Sequence, residues 1–255
     1  MNDSIIYALD FDGVICDSAI ETGISGWKAA CRIWGDMPVT VPLEMIELFR
    51  QARPIIETGY EAILTMRILH LGEPVETLYK GYADEFRQLM REAQVDSDDL
   101  KKLFGDTRDN WIANDKADWI QQNPLYPGVA EKLSRLNQDG TWYVVTTKQE
   151  RFVKKILNAS NIELSEERIF GLDRNMSKPE VLKNLLNRHP EQTMHFVEDR
   201  LPALLKVRQE PELASVQLFF AAWGYNCAED KHQATAQGFS HQQLHEFLTG
   251  HLPEN

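Results

Sequence analysis

A short apolar run that ends in two carboxylates constrains the fold of this chain more than any other stretch. The run IIYAL occupies residues 5–9, and Asp10, Asp12 and Gly13 follow it. β-Branched and aromatic residues in such a run are typical of a buried parallel strand. Side chains alternate along a strand, so Asp10 and Asp12 should share one orientation while the chain stays extended, and Gly13 permits a sharp turn. This pattern predicts two carboxylates at a strand's C-terminal end, where open α/β sheets hold ligands. The alternative is an ordinary acidic turn.

The chain beyond residue 123 alternates between apolar runs and segments of helical period. Five strands separated by helices predict an α/β fold with a doubly wound parallel sheet, Rossmann-like in its layers. The predicted strands span residues 5–9, 142–146, 168–172, 193–198 and 216–221. The predicted helices in this half include residues 151–158, 179–187, 201–208 and 240–248.

Helical periodicity covers residues 19–123, between the first predicted strand and the other four. Its clearest helix has one apolar stripe that runs from Val75 to Met90. A single sheet can include the first strand only if this block is an insertion, which we expect to form an all-helical cap over the C-terminal edge of the strands. The predicted domains are therefore a discontinuous core, residues 1–18 with 124–255, and a cap, residues 19–123.

Composition restricts the partners and the location of the chain. The chain has 27 basic and 39 acidic side chains and a formal net charge of -12, which repels nucleic acid and anionic lipid. Three widely spaced cysteines form neither a disulfide framework nor a zinc pattern. The first residues lack an export signal, and no window is apolar enough to span a membrane. We therefore expect a cytoplasmic protein that binds a small molecule, with neither nucleic acid nor membrane as a partner.

Polar groups follow the predicted strands in a fixed order: Asp10 with Asp12, then Thr146, then Lys178, then Glu198 with Asp199. This order resembles the four motifs of the haloacid dehalogenase superfamily. The stretch DFDGVICDS is similar to the first motif, LYPGVAEKL and WYVVTTK to the second, SKPEVL to the third and MHFVEDR to a modified fourth, and AAWGYN resembles a segment that comes late in such phosphatases. The resemblance covers the core and, more loosely, the cap, and is closest to phosphoglycolate phosphatase-like and β-phosphoglucomutase-like members.

The resemblance implies a magnesium-dependent phosphatase that forms an aspartyl phosphate, and the residue types suit that chemistry. Asp10 would be the nucleophile, and Asp12 would act as acid and then as base. Thr146 would donate its hydroxyl to a phosphoryl oxygen, and Lys178 would offset charge on the nucleophile and on the phosphate. The candidate ligands of Mg²⁺ are Asp10, Asp12 through its backbone carbonyl, Glu198 and Asp199. The candidate substrate-binding residues are Gly13, Thr147 and Arg53.

Each of these residues also has an ordinary structural interpretation. Thr146 could cap the following helix, and Lys178 could be a solvated lysine before a helix-starting proline. Glu198 and Asp199 could form an acidic helix N-terminus. Arg53 could pair with a nearby glutamate instead of a substrate anion. Their joint occurrence in this order favours one phosphotransfer site.

The chain departs from the family pattern in two motifs. Thr147 stands where asparagine is common, and Ala203 stands where the fourth motif often has a second acid, so Glu198 is expected to replace that acid. These departures leave open a catalytically weak binding or regulatory relative.

Other reactions of the superfamily fit the sequence less well. Dehalogenases lack the second aspartate that Asp12 supplies, and sugar phosphomutases have a cap histidine near the position of Thr22. Phosphonate hydrolysis needs a cap lysine, for which Lys28 is the nearest candidate. Hydrolysis of a small phosphorylated metabolite is therefore the favoured reaction, with a sugar phosphomutase as the alternative.

Overall fold

The computed structural model describes residues 5–250, so residues 1–4 and 251–255, at the ends of the predicted core, lie outside the described part. The chain divides into two compact units. One consists of Met1–Asp17 and Leu125–Asn255, and the other consists of Ser18–Pro124.

The first unit contains a six-stranded sheet with the order β3-β2-β1-β4-β5-β6. Every neighbouring pair is parallel, which confirms the predicted fold class. The strands are β1 (Ile5–Leu9), β2 (Thr141–Val145), β3 (Ile169–Phe170), β4 (Thr193–Glu198), β5 (Gln217–Ala221) and β6 (Ser240–Gln242).

The central position of β1 explains why its sequence is so apolar. It lies between β2 and β4, and Leu9 is in register with Val144 on one side and Val197 on the other. The chain order reverses at β1, and ligands of open α/β sheets bind at such a reversal point. The residues that follow β1, β2 and β4 therefore meet at one edge of the sheet.

Helices connect these strands, and their apolar faces pack on the sheet. The fully buried side chains of this core include Phe196, Phe220 and Leu182. The helices of this unit, numbered in chain order after the seven of the other unit, are α8 (Val129–Asp139), α9 (Glu150–Ala159), α10 (Lys178–Arg188), α11 (Leu201–Arg208), α12 (Ala228–Ala236) and α13 (Leu244–Thr249).

The second unit is all-helical in the described residues, and α1 packs mainly on α3. Its core contains Trp27, Phe49 and Leu100, none of which is exposed. Its helices are α1 (Ala19–Ile33), α2 (Leu43–Ala52), α3 (Glu61–His70), α4 (Val75–Tyr79), α5 (Ala83–Ala93), α6 (Ser97–Asn114) and α7 (Lys116–Gln121). None of the described helices is both long enough and apolar enough to cross a membrane.

Two local predictions were wrong. The predicted helix 240–248 begins with β6, a three-residue polar strand that pairs with β5, and α13 starts only at Leu244. Such a short edge strand has no apolar periodicity, so tertiary pairing alone identifies it. The stripe from Val75 to Met90 belongs to two helices, because Gly81 has φ of +129° and interrupts the helical path.

A buried histidine makes the stability of the first unit depend on pH. His195 on β4 is 4% exposed and packs against Tyr7 and Phe219. Burial lowers the pKa of His195 to about 4, although a hydrogen bond with Gln217 raises it. The imidazole is therefore neutral in the folded protein at pH values where it is charged in the unfolded chain.

We expect the free energy of unfolding to fall as pH decreases from about 6.5 to about 4, by up to about 3 kcal/mol, because the unfolded state binds the additional proton. His195→Phe should abolish that part of the slope. Urea titrations at several pH values measure it, with the exposed His232→Gln as the matched control. An unchanged slope in His195→Phe would contradict the assignment.

Candidate active site

Four sequence-predicted residues lie at the C-terminal edge of the sheet because the strands deliver them there. Asp10 follows β1, and its N–H donates to the Val197 carbonyl at 3.0 Å. Thr146 follows β2, and its N–H donates to the Phe170 carbonyl at 2.9 Å. Glu198 is the last residue of β4, and Asp199 comes next.

Lys178 joins two of these carboxylates. Its Nζ donates to Asp10 Oδ1 at 2.9 Å and to Glu198 Oε2 at 2.5 Å, and its side chain is 16% exposed. Although burial lowers it, the carboxylates of Asp10 and Glu198 raise the pKa of Lys178 above its ordinary value. Lys178 is the first residue of α10, which Ser177 caps by accepting from the Glu180 N–H. The solvated-lysine interpretation is therefore wrong.

Asp10 is almost fully buried, with 5% exposure. Burial raises the pKa of Asp10 to about 6; the charge of Lys178 lowers it, and those of Glu198 and Asp12 raise it. A buried carboxylate is poorly solvated, which favours its reaction with an electrophile once it is ionised.

Asp10, Glu198 and Asp199 form a buried acidic cluster. One carboxylate oxygen from each residue lies within 4.8 Å of the others. The Glu198 carboxylate also accepts two hydrogen bonds from the protein. Its Oε2 accepts from Lys178, and its Oε1 accepts from the Arg200 N–H at 3.0 Å. Three hard oxygen donors at this spacing suit a hard divalent cation such as Mg²⁺.

Asp12 lies beside a second lysine, Lys148, which is not among the sequence-predicted site residues. Lys148 Nζ is 2.9 Å from Asp12 Oδ1, and the side chains are 0% and 15% exposed. The stretch WYVVTTK ends with this lysine, two residues after Thr146. The sequence contains a signal for Lys148, because it comes shortly after the end of a predicted strand, as Thr146 does. Residues that follow the C-terminal ends of parallel strands lie where open α/β sheets bind ligands.

Thr146 does not cap the next helix. Its Oγ1 accepts from the Lys148 N–H at 3.1 Å, and α9 begins at Glu150 with Gln149 as its N-cap. Because the hydroxyl accepts this bond, its own proton can point elsewhere. The capping alternative is therefore wrong, and Thr146 has the geometry of a hydroxyl donor at the sheet edge.

The loop after β5 holds Asp199 in place. Asp199 Oδ2 accepts from the Tyr225 N–H at 2.6 Å, and the Asn226 amide donates to the Asp199 carbonyl at 3.2 Å. The Tyr225 hydroxyl donates to Asp17 Oδ1 at 2.8 Å. Tyr225 lies in AAWGYN, the segment that resembles a late stretch of such phosphatases, and its contacts give that segment a structural role.

Gly13 allows the turn after Asp12 to approach the acidic cluster. It has φ of +95°, and a Cβ atom at this position would lie 2.0 Å from Asp199 Oδ2 and 2.9 Å from Tyr225 Cδ2. Any other residue would both strain the backbone and displace the Asp199 carboxylate.

Gly13→Ala should therefore destabilise the first unit by about 2 kcal/mol or more, from positive-φ strain and the clash combined. Gly140→Ala is the matched control, because its added Cβ would have only ordinary contacts, 3.5 Å or longer. Thermal unfolding of both variants measures the difference. Equal melting temperatures for the two variants would refute the close approach.

The predicted substrate-binding residues Thr147 and Arg53 belong to different units. Thr147 follows Thr146 and is partly buried. Arg53 belongs to the second unit, where it is 7% exposed and its Nη1 donates to the Ile56 carbonyl at 3.1 Å. A substrate role for Arg53 stays a prediction.

The comparison with protein-family models identifies one family. Residues 6–201 match the family model described as haloacid dehalogenase-like hydrolase. Comparison with curated proteins gave no match.

Solved structures of similar fold cover nearly the whole chain. A predicted phosphatase from Clostridium acetobutylicum has a TM-score of 0.57 and 17% identity, with 97% of each chain covered. A predicted phosphoglycolate phosphatase from Haemophilus somnus has a TM-score of 0.57 and 18% identity, covering 91% of this chain and 92% of that one. A haloacid dehalogenase-like family protein from Streptococcus pneumoniae has a TM-score of 0.54 and 18% identity, covering 96% and 95%.

Proposed function

The chain belongs to the haloacid dehalogenase-like hydrolases, and from that premise we propose that it is a magnesium-dependent phosphatase acting on a small phosphorylated metabolite. The observation that carries the proposal is the ion-paired group at the sheet edge, in which Lys178 joins Asp10 to Glu198 and Asp199 lies within reach of both carboxylates. Similar structures described as phosphatases support the same reaction class.

In the first half-reaction an oxygen of Asp10 attacks the phosphorus atom, and the bond to the leaving oxygen breaks. The product is an aspartyl phosphate on Asp10 and a free alcohol. Lys178 offsets the charge of the nucleophile and of the transferring group, and the Thr146 hydroxyl donates to a phosphoryl oxygen.

Asp12 carries the proton in both half-reactions. It gives its proton to the leaving oxygen as that bond breaks. The resulting carboxylate then accepts a proton from the water whose oxygen attacks the aspartyl phosphate. Asp10 is released as a carboxylate, together with inorganic phosphate.

The acidic cluster fits a magnesium ion by the chemistry of its donors. Asp10, Asp199 and the backbone carbonyl of Asp12 would hold the ion, with Glu198 as a further or outer ligand. Bound Mg²⁺ would supply positive charge beside the phosphoryl oxygens. Lys178 donates a hydrogen bond to Asp10, and the backbone N–H of Tyr225 donates one to Asp199, so the protein itself orients both carboxylates.

The helical unit Ser18–Pro124 is proposed to serve as the cap that selects the substrate. Arg53 is its candidate contact for a substrate anion, and Thr147 and Gly13 are the candidates in the core. Thr22, near the position where related phosphomutases have a histidine, is buried, with 2% exposure. Because threonine stands there and not histidine, the proposal favours water over a second sugar phosphate as the acceptor of the phosphoryl group.

The test is phosphate release from 4-nitrophenyl phosphate and from a panel of phosphorylated metabolites, with protein stripped of metal and then supplied with Mg²⁺. Release should require Mg²⁺, and Asp199→Asn should need a higher Mg²⁺ concentration for half-maximal rate. Equal rates with and without metal would reject the metal requirement. Isomerised sugar phosphate without free phosphate would instead identify a phosphomutase.

A further inference from the structure

A fully buried lysine lies beside the proposed acid and base, and the mechanism so far gives it no role. Lys148 has no exposed side-chain surface, and its Nζ is 2.9 Å from Asp12 Oδ1. Burying an ammonium group costs several kcal/mol unless a close anion compensates it. The anion here is the carboxylate of Asp12.

The backbone of Lys148 is fixed on both sides. Its N–H donates to Thr146 Oγ1, and its carbonyl accepts from the Leu172 N–H at 3.1 Å. Gly171 makes the second contact possible, because a Cβ atom there would lie 2.3 Å from that carbonyl oxygen. The loops after β2 and β3 therefore set the position of the ammonium group.

We propose that Lys148 is a positioning residue for Asp12. It holds one oxygen of the Asp12 carboxyl group, which fixes the direction of the other. It also stabilises the carboxylate that forms when Asp12 gives its proton to the leaving oxygen. This inference rests on the proposed function, in which Asp12 is the proton donor.

The proposal predicts a dependence on the leaving group. Proton donation matters most when the leaving oxygen is strongly basic, as in phenyl phosphate, and least for 4-nitrophenyl phosphate, whose leaving phenolate is stable without a proton. Loss of Lys148 should therefore slow phenyl phosphate more than 4-nitrophenyl phosphate. A purely structural defect would slow both equally.

The experiment measures kcat/KM for the two esters with Mg²⁺ in wild type, Lys148→Met and Lys148→Arg. We expect Lys148→Met to reduce the value for phenyl phosphate about tenfold more than that for 4-nitrophenyl phosphate, within the range that proton donors contribute. Lys148→Arg keeps the charge and should retain a ratio near that of wild type. The control is Lys183→Met, a lysine that pairs with Glu210 and Glu212 and should leave both values unchanged.

The ratio of the two substrates within one variant does not depend on how much of the protein is folded. If Lys148→Met melts below wild type, Lys148→Gln replaces it in the same comparison. An equal reduction for both esters would overturn the proposal, as would a well-folded Lys148→Met that turns over neither.

A double-mutant cycle identifies the residue through which Lys148 acts. In an Asp12→Asn background, Lys148→Met should change kcat/KM for phenyl phosphate by less than about threefold, because coupled residues are not additive. Full additivity would overturn the role. The proposed function fails separately, if wild type hydrolyses neither ester or if Asp10→Asn hydrolyses them as fast as wild type.

Discussion

Asp10→Asn is expected to reduce magnesium-dependent phosphate release by a factor on the order of 10³ or more, as found when a catalytic nucleophile is removed. An amide oxygen cannot form the aspartyl phosphate, so the reaction loses its covalent route. Asparagine keeps the size of the buried side chain, and Lys178 retains its bond to Glu198, so the fold should survive. Rates with 4-nitrophenyl phosphate and melting temperatures measure the two effects separately.

The control for this substitution is Asp84→Asn, the same chemical change at an exposed position of α5. A second readout is acid-quenched protein after reaction with labelled substrate. Label should remain on wild type and be absent from Asp10→Asn. Equal activity of wild type and Asp10→Asn, or equal labelling of these two proteins, would reject Asp10 as the nucleophile.

Arg108→Met is expected to destabilise the second unit by about 3–5 kcal/mol, the usual cost of breaking a buried ion pair. Arg108 and Glu21 form a bidentate salt bridge, in which Nε donates to Oε1 at 2.8 Å and Nη2 donates to Oε2 at 2.6 Å. Their side chains are 4% and 0% exposed. Ser25 and Trp119 also donate to Glu21, so the carboxylate connects α1, α6 and α7.

Urea unfolding followed by tryptophan fluorescence measures this loss. The control is Lys102→Met, which breaks an exposed pair with Asp106 on the same helix and should cost less than about 1 kcal/mol. The double substitution Glu21→Gln with Arg108→Met should recover much of the stability, because it leaves no charge buried without its partner and keeps an acceptor for Ser25 and Trp119. A loss in Arg108→Met no larger than that of the control would show that the pair contributes little.

The core strands could be predicted from sequence because their signals are local. Apolar runs such as IIYAL identify buried strands. The C-terminal ends of parallel strands lie at the same edge of a sheet, which places Asp10, Thr146 and Glu198 together at that edge. The resemblance added the order of the motifs and hence Lys178. The short edge strand β6 was not predicted, because its three polar residues show no apolar periodicity.

The pairings within the site could not be predicted in the same way. Lys148 lies 136 positions from Asp12, and Lys178 lies 168 positions from Asp10. Such contacts depend on strand register and on the path of each loop, which a local pattern does not contain. Tyr225 is a similar case, because its backbone N–H, common to nearly every residue type, makes the contact to Asp199.

Sequence alone determined the parallel sheet, the helical block after the first strand and the identity of the two leading carboxylates, because periodicity and strand ends depend on neighbouring residues. Only the tertiary structure paired Lys148 with Asp12 and Lys178 with Glu198. Lys178 holds Asp10 with Glu198, whereas Lys148 holds Asp12. The physical reason is that a buried charge must find its partner in space, and sheet register, not distance along the chain, brings the two together.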